Sequence, residues 1–249
     1  MKNLFRTLSK ILPVAGLLAA CGLLPGVKVI TGSGNVTSQD RPVSGFTGVA
    51  LDGSGEVVIT QGATEGLTIE AEDNLLPLIT SEVKDGVLRL DFSRADWRDI
   101  VKPTKPIRFL VAVKDLSALD LAGSGSLRAG SLQSPNMKIT LSGSGDVTLD
   151  DLQGQALNAT LNGSGNVTAG GQIQKLDLLL SGSGQVMAGN LESQAASVSV
   201  SGSGDVTIWV REQLDVAISG SGTVNYFGTP TIGQRDITGS GDINPMGDK

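Results

Sequence analysis

Nine polar residues occupy one recurring position, directly after a Gly-Ser-Gly triplet: Asn35, Glu56, Ser126, Asp146, Asn166, Gln185, Asp205, Thr223 and Asp242. Stacked at strand spacing, they make a ladder of oxygens and amides. Such a ladder has two possible chemistries. Several oxygens at about 2.3–2.6 Å would hold a hard cation, and the amides and carboxylates would hydrogen-bond a sugar. The simpler reading is a structural ladder whose side chains bond one another, which the amides breaking up the acid series favour. A calcium roll of the Gly-Gly-x-Gly-x-Asp type is a different pattern, with a period far shorter than the roughly 20 residues seen here.

Catalysis would need more. A glycosidase uses two carboxyls about 5–9.5 Å apart, and Asp146 or Asp150 with an acid on the next coil are the candidates. A polysaccharide hydrolase or lyase is therefore the alternative to a non-catalytic binding role, and a purely structural envelope component is the third reading. The chain has no histidine and one cysteine, which removes Ser-His-Asp and Cys-His nucleophiles and every histidine-containing metal site. No cofactor is expected. A phosphate loop is a single glycine turn that opens a helix, whereas here nine copies open strands.

Two further groups of residues point outward in function. Lys2, Arg6 and Lys10 precede the apolar run Ile11–Ala20, which is too short to span a bilayer and has the layout of a secretory leader. It ends in Leu18-Ala19-Ala20-Cys21-Gly22, which resembles a bacterial lipobox. Cleavage after Ala20 would leave a lipidated Cys21, and several acyl chains make a stable anchor. Gly22 is not the aspartate that resembles an inner-membrane retention signal, so outer-membrane sorting is expected. The leader holds three basic residues and no acidic one. Its loss leaves 16 basic against 25 acidic residues, a formal charge of −9, which argues against nucleic acid as a partner. The second group is the basic and aromatic stretch around Arg94, Trp97 and Arg98. Arg and Trp are common interface anchors, so a glycan or an envelope or surface protein is a candidate partner. The plainer reading is a loop covering one end of the core.

The elements that must position these residues follow from the same triplets. From Gly123 onward their starts lie 20, 20, 19, 20, 18 and 19 residues apart, the mark of a stacked solenoid. The residue two before each triplet is aliphatic: Ile30, Leu51, Leu121, Leu141, Leu161, Leu180, Val200, Ile218 and Ile237. So is the second residue after it: Val36, Val57, Leu127, Val147, Val167, Val186, Val206, Val224 and Ile243. In between, residues alternate as in Met137-Lys138-Ile139-Thr140-Leu141-Ser142, which is strand patterning. The expectation is an all-β, right-handed parallel β-helix, with handedness taken from the general rule for parallel crossovers. All nine triplets are expected to turn equivalent coils about 4.8 Å apart.

The chain then divides into a leader (1–20), a lipidated tether (21–30), N-terminal coils (31–122) broken by an irregular β-rich insert (60–117), and regular coils with the C-terminal end (123–249). Within the insert, strands are expected at Leu67–Glu70, Val87–Phe92 and Ile107–Val113, with a hairpin turn at Asp85-Gly86 and a turn or short helical stretch over Asn74–Ile79.

The run Arg41-Pro42-Val43-Ser44-Gly45-Phe46, then Val49, Leu51, Gly53-Ser54-Gly55-Glu56-Val57, Ile59 and Gln61-Gly62, is distinctive. It continues into Leu67–Glu72, Asn74-Leu75-Leu76 and Val83–Leu88. Together with the repeats, over about residues 30–245, it resembles the auto-transporter adhesin head domain of GIN type. That resemblance implies a secreted or lipid-anchored envelope protein with a β-helical body. It brings no catalytic residues to carry over.

Overall fold

The computed structural model describes residues 29–92 and 100–249. Cys21 and the Arg94, Trp97 and Arg98 group lie outside the described residues. What is described is a parallel β-solenoid built on two walls.

One wall stacks the strands that precede the triplets. Its register runs Leu51↔Leu121↔Leu141↔Leu161↔Leu180↔Val200↔Ile218↔Ile237 without a slip at that position. The other wall stacks the strands that follow them. There Val57, Leu127, Val147, Val167, Val186, Val206, Val224 and Ile243 align. Both rows face inward and are buried, except that Ile237 and Ile243 in the last coil are only partly covered. The second wall is bent: after Val147 and Leu149 point inward, Asp150 and Asp151 both face out before Leu152 turns in again.

The corner between the walls explains the triplet. Gly143 has φ 126°, a region L side chains avoid. A Cβ there would also overlap Gly123 O, and one on Gly145 would overlap Gly125 O. The coils therefore touch backbone on backbone, with Ser144 N donating to Gly123 O at 2.9 Å and the same bond repeated at Ser164, Ser183 and Ser203. Only the middle residue has room, and its serine is exposed.

Within the β-rich insert, Val87–Phe92 pairs in parallel with Gly48–Gly53, and Arg108–Val113 pairs with Glu56–Gln61. These two strands form a rung below the first coil. The chain makes that coil, descends to cap it, then steps back through Lys114–Ser117 so that Ala118–Gly123 lands on its far side. The expected elements inside are present: a hairpin through Asp85 (φ 52°) and Gly86 (φ 75°), and a 3-10 turn at Leu76–Leu78.

One expectation needs correction: the first triplet is no corner of the stack. Val36–Arg41 runs antiparallel to Gly66–Glu72, and Val36 is 49% exposed. The reason is Glu72, a buried carboxylate that accepts hydrogen bonds from Gly34 N, Thr104 N and the Thr104 hydroxyl. A Cβ on Gly32 would overlap that carboxylate. The same three residues thus serve a clamp here and a corner elsewhere.

Candidate functional site

Eight of the nine residues that follow a triplet stand in one column. Glu56, Ser126, Asp146, Asn166, Gln185, Asp205, Thr223 and Asp242 are consecutive register partners, with Arg108 continuing the column below Glu56. All are exposed or half-buried. Their backbones are pinned by the corner glycines of the coil beneath, as Asp146 N donates to Gly125 O at 3.1 Å and Asn166 N to Gly145 O at 3.0 Å. Asn35 stands apart, its amide donating to Asp73 at 2.9 Å within the N-terminal clamp.

The column is partly cross-linked. Arg108 Nε reaches Glu56 at 3.1 Å, and Asn166 Nδ2 donates to Asp146 Oδ1 at 2.8 Å. The upper rungs, Gln185, Asp205, Thr223 and Asp242, present their polar ends to solvent. The exposed corner serines run beside them, and the outward row Thr148, Thr168, Met187 and Thr207 lies on the other side. The result is a flat ribbon of hydroxyls, amides and spaced carboxylates repeating every ~4.8 Å.

The spacing of the acids limits its chemistry. Ser126 and Asn166 flank Asp146, and Gln185 and Thr223 flank Asp205. No two column acids occupy adjacent rungs. Asp150, the other acid considered for an acid–base pair, is bound by Arg128 at 3.0 Å. Among the described residues, no group of three or more acidic side chains converges on a metal position.

In sequence, described strands flank the stretch of Arg94, Trp97 and Arg98. Val87–Phe92 belongs to the capping rung, and Ile100–Lys102 pairs in parallel with Val29–Thr31. Beyond it, the Glu72 clamp fixes Thr104. The Thr104 hydroxyl is the main reason the Glu72 carboxyl titrates below its ordinary value, and the backbone N–H groups of Thr104, Gly34 and Lys105 add to the effect against the opposing cost of burial. Asp73 is likewise lowered, first by the Ser33 hydroxyl and then by the Asn35 amide.

Sequence reading missed two groupings whose signal was present. Trp209 and Phe227 are register partners. Arg211 lies 5.2 Å from the Trp209 ring centre, and Lys249 lies 5.5 Å from that ring and 5.0 Å from Phe227. Gln133, Gln153 and Gln172 form a second polar row on the opposite corner. Each set is spaced by one local repeat, so alignment of the coils on every position, beyond the triplets alone, would have exposed them.

An all-β parallel solenoid with a polar column along one corner defines the class of protein. The chain belongs to the family described as "Putative auto-transporter adhesin, head GIN domain", which matches residues 45–230. Among solved structures, it is similar to a putative adhesin from Bacteroides fragilis (28% identity, TM-score 0.79), over 87% of this chain and all of that one. It has the fold of a putative lipid binding protein from Parabacteroides distasonis (23%, TM-score 0.73) and of a putative adhesin from the same species (22%, TM-score 0.70). Each of these aligns over 88% of this chain and 100% of its own. No curated protein matches.

Proposed function

We propose that this protein is a lipid-anchored component of the cell envelope that binds surfaces without catalysing a reaction, through its repetitive corner. Membership of the adhesin-like family supports a surface or envelope role. The observation that carries the binding role is the unbroken register of the column from Glu56 to Asp242. A rigid row of identical spacing suits a repetitive partner, because many weak polar contacts made at once raise avidity without any deep pocket. The Leu18–Gly22 sequence supports a tether at Cys21.

Two experiments test the reading. Cys21→Ser should move the protein from the membrane to the soluble fraction of fractionated cells, and unchanged membrane association would refute the anchor. Cells displaying the protein should adhere to a glycan-coated or host-cell surface more than cells lacking it. A triple Asn166→Ala, Gln185→Ala, Asp205→Ala variant should lose that gain, and retention of full adhesion by a folded triple variant would remove the column from the mechanism.

A further inference from the structure

The corner opposite the column carries a hollow of about 840 Å³. It opens where Lys114–Ser117 steps from the capping rung across to the regular coils. Gln61, Lys114, Gln133, Ser134, Gln153 and Gln155 are among its walls.

Its construction is specific. The Gln61 amide is fully occupied, with Nε2 donating to Lys114 O at 2.9 Å and Gln133 O at 3.1 Å while Oε1 accepts from Gln133 N at 2.7 Å. This residue fixes one wall. Gln153 Nε2 donates to Asp151 Oδ1 at 2.7 Å, which orients its carbonyl oxygen. Gln133 and Gln155 are exposed at the rim. Ser134 is 2% exposed and its hydroxyl is enclosed by the chain, so the surface open to a ligand is that of Gln133, Gln153 and Gln155.

We propose that this hollow binds a neutral oligosaccharide. Planar amides on adjacent rungs offer a donor and an acceptor side by side, the geometry that vicinal sugar hydroxyls match. Lys114 and Asp115 both line the hollow and offset each other's charge, which disfavours an anion. The lining holds no aromatic ring to anchor a peptide. The inference rests on the binding-module reading above but places the sugar on a different surface from the column.

The test uses the full-length protein extracted in detergent, titrated calorimetrically with cellotetraose, maltotetraose, chitotetraose and a sialylated tetrasaccharide. At least one neutral tetrasaccharide should bind with a Kd at or below the millimolar range, and the sialylated one should bind more weakly. Gln133→Ala with Gln155→Ala should weaken binding about tenfold or more, the loss of two hydrogen bonds. Lys138→Ala, an exposed residue outside both the hollow and the column, should leave affinity unchanged. Three results overturn the proposal: no binding by any neutral tetrasaccharide, preference for the charged one, or loss of binding in the triple column variant but not in the double glutamine variant. Adhesion of displaying cells that survives such a result would preserve the binding-module reading while removing the hollow from it.

Discussion

Gly32 and Glu72 occupy each other's space: the Glu72 carboxylate fills the volume that any Cβ at residue 32 would take. A sequence motif that elsewhere stacks carbonyl on glycine here encloses a buried anion with N–H and O–H donors. The carboxyl of Glu72 is held below its ordinary value of 4.5. A group whose pKa falls on folding stabilises the fold fully above the unfolded value and loses that contribution as pH drops below it. The wild-type melting temperature should therefore fall between pH 4.5 and 3 more steeply than that of Glu72→Gln, and the two curves should lie furthest apart near neutral pH. Differential scanning calorimetry across that range checks this.

Gly143→Ala should destabilise the solenoid by about 2 kcal/mol or more, since the residue sits at φ 126° and its new methyl would press on Gly123 O. Gly130→Ala is the matched control. Nothing lies within 4 Å of a Cβ there, so the change should be neutral or stabilise by up to about 1 kcal/mol. Urea denaturation of both variants separates corner stacking from glycine content.

Gln61→Ala should cost about 1–3 kcal/mol. The half-buried amide makes three hydrogen bonds joining the crossover linker to the first regular coil, and its loss leaves backbone groups unpaired. Hydrogen exchange should then rise first at Lys114–Ser117 and Gln133, with the coils beyond Asn166 unaffected, because solenoid stability is local.

Asn166→Asp places two carboxylates on neighbouring rungs, where Asn166 now donates to Asp146. Like charges directly opposite are unfavourable, so the variant should lose about 1 kcal/mol at low ionic strength. Raising the salt should restore most of that loss, since both groups are on the surface. Thermal melts at two salt concentrations read the difference.

Much of the body was legible from the chain because each coil repeats the same constraint. Leu141, Gly143, Gly145 and Val147 have equivalents 20 residues away in both directions, so the register follows from alignment alone. The N-terminal end was legible only as elements. That Leu51 pairs with Leu121 while Leu90 lies on its other side depends on where the chain doubles back, and no local pattern records it. The first triplet misled for a related reason: glycine was required at residue 32 by a carboxylate 40 residues distant, and the motif alone does not reveal which neighbour demands it. The column was predictable as far as Glu56–Asp242, whereas the opposite hollow exists only because the crossover passes beside Gln133 and Gln153.

The capping rung is made from chain synthesised after the coil it covers, so the two ends of the stack differ in kind. One is closed by that rung and by the antiparallel strands Gly66–Glu72 and Val36–Arg41 beyond it, and the other stops at strands that carry Ile237 and Ile243 only partly covered. Lengthening by duplication therefore has a direction. A whole coil can be copied or deleted anywhere beyond Gly123 while the lid and its buried anion stay intact, which leaves the length of the stack free to vary at one end only.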